Sequence, residues 1–323
     1  VILLPVYAAS EAPLPGGTSE DLYAAFRRLR PALRVLFAAS LDEAWHAAAA
    51  GLASDRLLLV AGAGDVATLA GRARAAAAAP VQPPLPHARP RVPLGRLTTL
   101  GVGGAADWLA DAADEAELAA LFAAAAHRGL PVHLLGAGAN TLVADGGVAG
   151  VAARLAGPAF RSFARTGPCT VEAGCGLSGS ALLDRLEEAG LSGLEFLEGV
   201  PGTVGGWLAM NAGAHGGAIG ERVDAIRCLN SDGAPSILTA SQCGFGYRAC
   251  TGLRGRTALS VRLTLTAGTA AEIARKRAAC RGRRMPLEGL RTAGSVFRNP
   301  DGDFAGRLLE AAGCKAMRVG GAA

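Results

Sequence analysis

The residues in this sequence that most clearly could bind a ligand are the glycines of its glycine-rich turns. Gly199–Gly217 reads GVPGTVGGWLAMNAGAHGG and contains seven glycines in nineteen residues. Glycine allows the backbone to turn sharply or to lie directly against another group. Apolar residues distinguish the stretch from a disordered linker: Pro201, Val204, Trp207, Leu208 and Met210. We expect a flat or phosphorylated ligand against this stretch, and a buried connection between two strands is the alternative.

A second glycine turn follows a short apolar strand predicted at Val132–Leu135. The turn is Gly136–Thr141 (GAGANT), whose backbone N–H groups could face a phosphate. Asp145, Gly146 and Gly147 break any helix soon after it, so the turn is not of the Rossmann type. An ordinary hairpin-type loop is the alternative interpretation.

A third glycine turn, Gly62–Ala67 (GAGDVA), follows a strand predicted at Arg56–Ala61 and precedes a helical segment. This order is that of the dinucleotide-binding fingerprint. The fingerprint also needs an acidic residue about twenty positions further on, where this chain instead runs into AAAAAPVQPPLPHARP. We therefore predict a tight strand-to-helix turn in an α/β unit rather than a nucleotide site.

Composition limits the class of protein. The 323 residues are enough for two or three domains, and the formal charge of +5 argues only weakly for an anionic ligand. The sequence has no run of eighteen strongly apolar residues and no export signal, which predicts a cytoplasmic protein with no membrane insertion. Its seven cysteines form no CxxC pair, which argues against a disulfide framework and against a metal site.

The elements that must position these turns follow from hydrophobic periodicity and capping residues. Asp114 with Glu117 predicts the start of a helix that Gly129 ends, and Ser178–Ala189 is predicted as another helix. Strands are predicted at Val151–Leu155, Thr170–Ala173, Ala225–Asn230 and Leu259–Leu265.

A basic helix is predicted at Ala271–Arg284. It carries six basic residues with no aromatic residue between them, so we expect no nucleic-acid binding. The predicted role of its charges is a solvated helix face or a rim for one anionic ligand.

Seven motifs occur in the order found in one flavoenzyme family: GVGGAADWL, LGAGANTLVADGGVAGV, AGCGLSGSALL, GLSGLEFLEGVPGTVGGWLAMNAGAHGG, FGYRAC, AGSVFRNP and AGRLLEAAGCK. From about residue 89 onward the chain therefore resembles the UDP-N-acetylenolpyruvoylglucosamine reductases of peptidoglycan synthesis. The resemblance implies FAD and NADPH as cofactors and conversion of the UDP-sugar UDP-N-acetylglucosamine enolpyruvate to UDP-N-acetylmuramate. It also implies an α+β fold, with an FAD-binding fold of the vanillyl-alcohol-oxidase type in two lobes and then a substrate domain.

The N-terminal segments YAASEAPLPGGTS and LLLVAGAGDV resemble a different family, the UDP-N-acetylmuramate:alanine ligases. This resemblance implies that residues 1–78 are a partial α/β, Rossmann-like C-terminal ligase domain, without the ATP-binding domain that ligase activity requires. We predict a proline-rich linker at 79–93, an FAD-binding domain at 94–267 and a substrate-binding domain at 268–323. The chain is thus predicted to be a ligase-reductase fusion.

The reductase resemblance also implies roles for individual residues. Arg248 matches the family's catalytic arginine, whose planar guanidinium can stabilise an enolate forming on the substrate. Ser295 matches the proton donor, which needs a dry site because a hydroxyl is a weak acid in water. The expected substrate contacts are Tyr247, Arg248 and Asn299. The expected cofactor contacts are Gly136, Ala137, Gly138, Ala139, Asn140, Thr141, Pro201, Gly202, Thr203, Gly205, Gly206 and Asn211.

The sequence departs from the family pattern at three places. Ala139 stands where the family usually has serine, and Cys250 replaces a frequent serine after Tyr-Arg. The family's catalytic glutamate near the C-terminus has no counterpart before Ala323, so we expect an incomplete substrate domain, with FAD binding but little turnover. The alternatives are another FAD-dependent oxidoreductase of the same fold and a non-catalytic nucleotide-binding fragment. The sequence leaves the oligomeric state open.

Overall fold

A computed structural model describes residues 1–5, 17–49, 59–60, 66–78, 87–283, 294, 296–315 and 317–320 of the chain. The chain divides into two compact units, Val1–Gln82 and Pro83–Ala323. Each unit has apolar core residues of its own.

The first unit is a small α/β assembly. Its two strands, β1 (Ile2–Leu3) and β2 (Leu36–Phe37), pair in parallel. Its helices are α1 (Ser19–Leu29), α2 (Leu41–Ala49) and α3 (Ala67–Ala78).

A polar cap and a few buried side chains stabilise this unit. Thr18 Oγ1 accepts a hydrogen bond from the Asp21 N–H at 3.1 Å, and the Asp21 carboxylate accepts one from the Thr18 N–H at 3.0 Å. This reciprocal pair satisfies two backbone donors at the start of α1. The buried apolar residues are Ala38, Ala44 and Leu69. Residues 62–65 of the predicted glycine turn lie outside the described residues, as do residues 56–58 and 61 of the strand predicted before it.

The second unit begins with a four-stranded sheet in the order β3-β4-β6-β5. Its strands are β3 (Arg89–Pro93), β4 (Ala105–Ala112), β5 (Val132–Leu134) and β6 (Val148–Leu155). Strands β4, β5 and β6 are parallel, and β3 is antiparallel to β4. Residues 89–93, predicted to end the linker, instead form a strand because they pair along β4 from Leu109 to Ala105.

Helix α4 (Glu115–His127) packs on this sheet. Asp114 caps the helix as predicted, since its carboxylate accepts a hydrogen bond from the Glu117 N–H at 2.9 Å. The Glu117 carboxylate accepts from the Ala113 N–H at 2.9 Å, so the return contact falls one residue before the cap. The buried face of the helix has the predicted spacing: Leu118, Leu121, Phe122 and Ala125.

The remaining strands and helices form the second lobe and the C-terminal segment. The strands are β7 (Phe163–Arg165), β8 (Thr170–Gly174), β9 (Leu191–Ser192), β10 (Gly213–Ala214), β11 (Gly217–Ala218), β12 (Val223–Asn230), β13 (Pro235–Thr239), β14 (Phe245–Gly246), β15 (Ala249–Cys250), β16 (Arg256–Thr264) and β17 (Thr266–Ala267). The helices are α5 (Gly179–Glu188), α6 (Val204–Ala209), α7 (Ala240–Cys243), α8 (Ala270–Gly282) and α9 (Ala305–Ala311). Among the described helices, none has the length and apolar content needed to cross a bilayer.

The second sheet is antiparallel throughout, in the order β13-β12-β16-β8-β7. Leu229 on β12 and Leu259 on β16 pack in one apolar cluster with Leu118 and Leu121 of α4. This shared core joins the two lobes, because burying these side chains removes apolar surface of both sheets from water.

Helix α8 differs from its predicted role as a solvated face. Arg277 is 8% exposed and donates to carboxylates of Asp184, Glu187 and Glu198, each at 2.7 Å. Arg281 also donates to Glu198, at 2.6 Å. The prediction is wrong for Arg277 because its partners lie 79 to 93 positions away in the sequence, whereas the Arg281 side chain is exposed and agrees with a solvated face.

Candidate cofactor and substrate site

A cavity of about 340 Å³ opens between the two lobes of the second unit. The first lobe lines it with the end of β5, the turn after it, and the end of β6. The second lobe lines it with the two residues directly after β8, with α6 and the residue that caps it, and with the start of β16. Five predicted cofactor residues are in this lining: Gly136, Ala137, Thr203, Gly205 and Gly206.

The two glycine turns predicted to bind the cofactor meet at this cavity. A Cβ atom on Gly136 would lie 2.8 Å from Oγ1 of Thr203, which is closer than a side chain can approach without displacement. Thr203 caps helix α6, and its Oγ1 accepts a hydrogen bond from the Gly206 N–H at 3.2 Å. Glycine at position 136 therefore lets the two lobes approach closely.

Backbone hydrogen bonds fix the second glycine turn to the segment after β8. The Val204 N–H donates to the Leu177 carbonyl, and the Gly205 N–H donates to the Cys175 carbonyl, both at 2.9 Å. Trp207 Nε1 donates to the carbonyl of Pro201 at 3.3 Å. These contacts hold a short irregular segment in one conformation because its buried polar groups are paired.

The first glycine turn is fixed against the segment that follows β3. Gly138 has a φ of +67°, and a Cβ atom there would lie 2.1 Å from the carbonyl oxygen of Leu97. The Thr99 N–H donates to the Gly138 carbonyl at 3.2 Å. Only glycine fits this left-handed position at such a close approach. Gly138 and the next three predicted cofactor residues are outside the cavity lining: Ala139, Asn140 and Thr141.

Pro201 and Gly202 face a second, smaller cavity of about 220 Å³. It lies between this loop and α5, and Glu198 also lines it. Burial alone would raise the pKa of Glu198, but hydrogen bonds from Arg277 and Arg281 hold that pKa below its ordinary value. An ion-paired carboxylate therefore sits directly before the glycine stretch that opens at Gly199.

The larger cavity is positively charged. Arg154, Arg161 and Arg256 contribute to its lining, which contains no carboxylate. Arg154 pairs with Asp111 through two hydrogen bonds of 2.5 and 2.7 Å. Arg161 and Arg256 have no ion pair among the described residues. Such a lining favours a ligand that carries negative charge.

Arg248 and Tyr247 occupy the tip of a hairpin between β14 and β15. The guanidinium carbon of Arg248 lies 5.4 Å from the centre of the Tyr247 ring, and that of Arg298 lies 5.6 Å from it. The Asn299 N–H approaches the Tyr247 hydroxyl at 3.4 Å. The structure thus brings three predicted substrate residues together, and it adds Arg298 to them.

Ser295 lies outside the described residues. Asn211, a predicted cofactor contact, is absent from the cavity lining. Its side-chain Nδ2 donates to the Gly246 carbonyl at 2.9 Å, and its Oδ1 accepts from the Gly220 N–H at 3.0 Å. Both ends of the amide therefore contact backbone next to the hairpin.

Comparison with known proteins addresses the identity of this site. A sequence model of FAD-binding domains matches residues 106–238, and one for the C-terminal domain of UDP-N-acetylenolpyruvoylglucosamine reductase matches residues 285–323. A UDP-N-acetylenolpyruvoylglucosamine reductase from Anaeromyxobacter sp. (strain Fw109-5) is 47% identical over 233 residues, which is 71% of this chain and 72% of that protein. UDP-N-acetylenolpyruvoylglucosamine reductase 2 from Symbiobacterium thermophilum is 42% identical over 71% of this chain and 75% of that protein.

A solved structure agrees with these sequence matches. The crystal structure of UDP-N-acetylenolpyruvylglucosamine reductase from Thermus caldophilus has a TM-score of 0.63 and 36% identity, over 72% of this chain and 83% of that chain. The chain belongs to the UDP-N-acetylenolpyruvoylglucosamine reductase family. It is an FAD-dependent oxidoreductase of peptidoglycan synthesis, as the motifs predict.

Membership of the reductase family confirms the predicted FAD-binding fold with its mixed α+β sheets. The match to FAD-binding domains spans both glycine turns, Gly136–Thr141 and Pro201–Gly206, that meet at the cavity.

No sequence motif predicts the three arginines of the cavity. They are three of the thirty arginines in the chain, and none of them lies within the seven motifs. Their position at strand ends and turns facing the glycine turns is the signal that could have found them.

Proposed function

We propose that this reductase uses NADPH to reduce the enolpyruvyl double bond of UDP-N-acetylglucosamine enolpyruvate, giving UDP-N-acetylmuramate. The observation that carries the proposal is the positively charged cavity between the two glycine turns, within the domain that matches FAD-binding domains. The names of the similar proteins describe reduction of UDP-N-acetylenolpyruvoylglucosamine.

The cavity residues fit FAD. Gly136 and Gly138 leave no room for side chains where the first turn contacts Thr203 and Leu97, so backbone alone forms that wall. Arg161 and Arg256 supply guanidinium groups suited to a diphosphate. Bound FAD supplies hydride transfer, and the protein supplies binding, orientation and charge.

The Tyr247 hairpin supplies the substrate side of the proposal. Hydride addition at the methylene carbon of the enolpyruvyl group moves the double-bond electron pair to the neighbouring carbon. The adjacent carboxylate delocalises this negative charge, which gives an enolate. Arg248 stabilises this charge, since its guanidinium has no ion pair among the described residues and is exposed. Ser295 then donates a proton to the carbon that carries the enolate.

Visible spectroscopy tests the cofactor and the reaction together. In a chain completed with the C-terminal segment that carries the family's catalytic glutamate, NADPH added without oxygen should bleach the flavin bands of the purified protein, and the enolpyruvyl sugar nucleotide should restore them. Simple alcohols or their oxidation products should not substitute for that nucleotide. A protein that cannot be loaded with FAD would contradict the proposal, and so would a reduced flavin that the substrate leaves reduced.

Two variants test the proposed roles of the hairpin and of the motif after it. Arg248→Ala and Ser295→Ala should keep the flavin spectrum and the bleaching by NADPH but lose the return of colour. Arg254→Ala is the control, because it is an exposed arginine near the hairpin and outside the cavity lining. Normal reoxidation of both site variants would show that these roles are wrong.

We further propose that residues 1–78 derive from a UDP-N-acetylmuramate:alanine ligase domain, followed by a linker, an FAD-binding domain to residue 267 and a substrate-binding domain. The α/β character of the first unit and the boundary after Gln82 support this division. A chain beginning at Pro83 should keep the flavin spectrum and its response to NADPH. Loss of FAD binding in that chain would contradict the division.

A further inference from the structure

The hairpin that carries Arg248 has a turn that is poorly suited to it. Two residues, Tyr247 and Arg248, connect β14 to β15, and Gly246 pairs with Ala249. Arg248 has a φ of +55°, and Tyr247 has a negative φ, which is the sign pattern of a type II turn. Two-residue hairpins favour type I′ and II′ turns, because type II splays the strands.

Arginine is an unfavourable residue for the left-handed backbone at position 248. A left-handed backbone suits glycine or asparagine, and an arginine there is held only when its surroundings determine the conformation. The base of the hairpin is anchored by buried Cys250, whose thiol donates to the Cys243 carbonyl at 3.1 Å. This hydrogen bond fixes Cys250 on β15, whereas Gly246, the residue directly before the turn, lies on β14.

Asn211 supplies the contact at Gly246. Its amide bridges the Gly246 carbonyl, at 2.9 Å, and the Gly220 N–H, at 3.0 Å. Asn211 is itself left-handed, with a φ of +39°, a conformation that asparagine accepts more readily than most residues. The side chain therefore ties the strained hairpin to the segment that follows β11.

We propose that Asn211 is a positioning residue: its amide sets the location of the Arg248 guanidinium relative to the substrate. The inference rests on the proposed function of Arg248. It replaces the sequence-based expectation that Asn211 contacts the cofactor, since both ends of its amide bind backbone outside the cavity.

Paired variants test this role. Asn211→Gly keeps the left-handed backbone but removes both hydrogen bonds, and His215→Gly is the matched control. His215 is exposed, has a φ of +51° and lies in the same glycine stretch, away from the hairpin contacts. We expect Asn211→Gly to slow substrate-dependent reoxidation of the flavin about tenfold, because of the two lost hydrogen bonds only the one to Gly246 acts on the hairpin, and about tenfold is the loss expected for one hydrogen bond. FAD affinity and bleaching by NADPH should not change, and His215→Gly should behave as wild type.

A double-mutant cycle separates positioning from general destabilisation. Arg248→Lys serves as the second variant, because Arg248→Ala is expected to lose reoxidation altogether. If Asn211 acts through Arg248, adding Asn211→Gly to Arg248→Lys should slow reoxidation no further than Arg248→Lys alone. A further tenfold loss in the double variant would overturn the proposal. Weakened FAD binding in Asn211→Gly, with unchanged reoxidation, would also overturn it and would restore the cofactor contact.

Hydrogen exchange provides a measurement that does not depend on turnover. Asn211→Asp retains the acceptor for the Gly220 N–H but removes the donor to Gly246. Amides of residues 245–250 should exchange faster in this variant, whereas the Gly220 amide should stay protected. Unchanged exchange in the hairpin would contradict the proposal. If the wild-type flavin is not reoxidised by substrate, the proposed function fails, but this measurement still decides whether Asn211 holds the hairpin.

Discussion

The proposed cofactor side and the proposed substrate side of the site differ in the contacts that hold them in place. At the cofactor side, backbone groups of Val204 and Gly205 are hydrogen-bonded to a neighbouring segment, and an ion-paired Glu198 precedes them. At the proposed substrate side, Arg248 lies beside the ring of Tyr247, a residue that is 48% exposed. We infer that changes to the glycine turns and to the ion pairs of Glu198 reduce stability together with FAD binding, whereas changes at the proposed substrate side affect turnover alone.

The largest expected effect is on the cofactor side, at Arg277. Arg277→Met leaves the carboxylates of Glu198, Glu187 and Asp184 without their shared guanidinium. Breaking a buried ion pair by removing one partner destabilises proteins by about 3–5 kcal/mol. Urea unfolding should show a loss in this range, and FAD affinity should fall with it because Glu198 adjoins the glycine stretch.

Arg275→Met is the control for this prediction. Arg275 is exposed on the same helix, α8, and is not among the ion-paired residues of that helix. Its replacement should change the free energy of unfolding by less than about 0.5 kcal/mol. Equal losses of unfolding free energy in the two variants would contradict the claim that the buried ion pairs of Arg277 stabilise the protein more than an exposed arginine of α8 does.

The second effect concerns the first glycine turn. Gly138→Ala places a Cβ atom 2.1 Å from the Leu97 carbonyl oxygen at a residue with a φ of +67°. Left-handed strain and overpacking should together cost about 2–4 kcal/mol of unfolding free energy and weaken FAD binding. Gly146→Ala, nearby in the sequence, meets no atom within 4 Å and should be tolerated. Thermal unfolding of both variants, with and without FAD, makes the comparison.

Local patterns in the sequence predict the elements of this fold well. Residue type and spacing predict helix starts at Asp114 and Ser178, and both residues cap helices in the structure. Capping depends on neighbours within three or four residues, so the information is local. Arg277 is different, because its burial depends on carboxylates that only the fold brings together.

The candidate site is likewise predictable only where its requirements are local in the sequence. The glycine turns are visible in the sequence because their backbone requirements select glycine. The contact between Gly136 and Thr203 depends on how the two lobes pack, and no local pattern encodes it. Asn211 has the right residue type for a ligand contact, and only the fold shows that its amide contacts the backbone of Gly246 and Gly220.

A third, smaller effect is expected at Arg161, in the cavity. Arg161→Ala removes a guanidinium that has no ion pair among the described residues and that faces the proposed diphosphate site. Loss of one charge-assisted hydrogen bond should weaken FAD binding about tenfold. Stability without FAD should change little. Arg262→Ala, an exposed arginine on β16 outside the cavity, is the control, and equal FAD affinities of the two variants would contradict the assignment.

The smallest expected effect is the pH dependence contributed by Asp111. Hydrogen bonding to Arg154 is the main reason that the pKa of Asp111 lies below its ordinary value near 3.8, and Arg89 adds to the effect. A lowered carboxyl pKa means that the folded state holds its proton less tightly than the unfolded state. The stabilisation is therefore complete above about pH 5, and it is lost as the pH falls through 3.8 towards the folded pKa.

Asp111→Asn isolates this contribution. The pair is partly exposed, so the difference from wild type at pH 7 should be below about 1 kcal/mol, and added salt should reduce it. The urea midpoints of wild type and variant should differ by a constant amount between pH 7 and 5, and this difference should narrow below about pH 4.

The same variant leaves Arg154 without its carboxylate at the cavity, so FAD should bind slightly more tightly. A gap that does not depend on pH would show that Asp111 acts through packing, and weaker FAD binding would contradict the charge argument for the cofactor side.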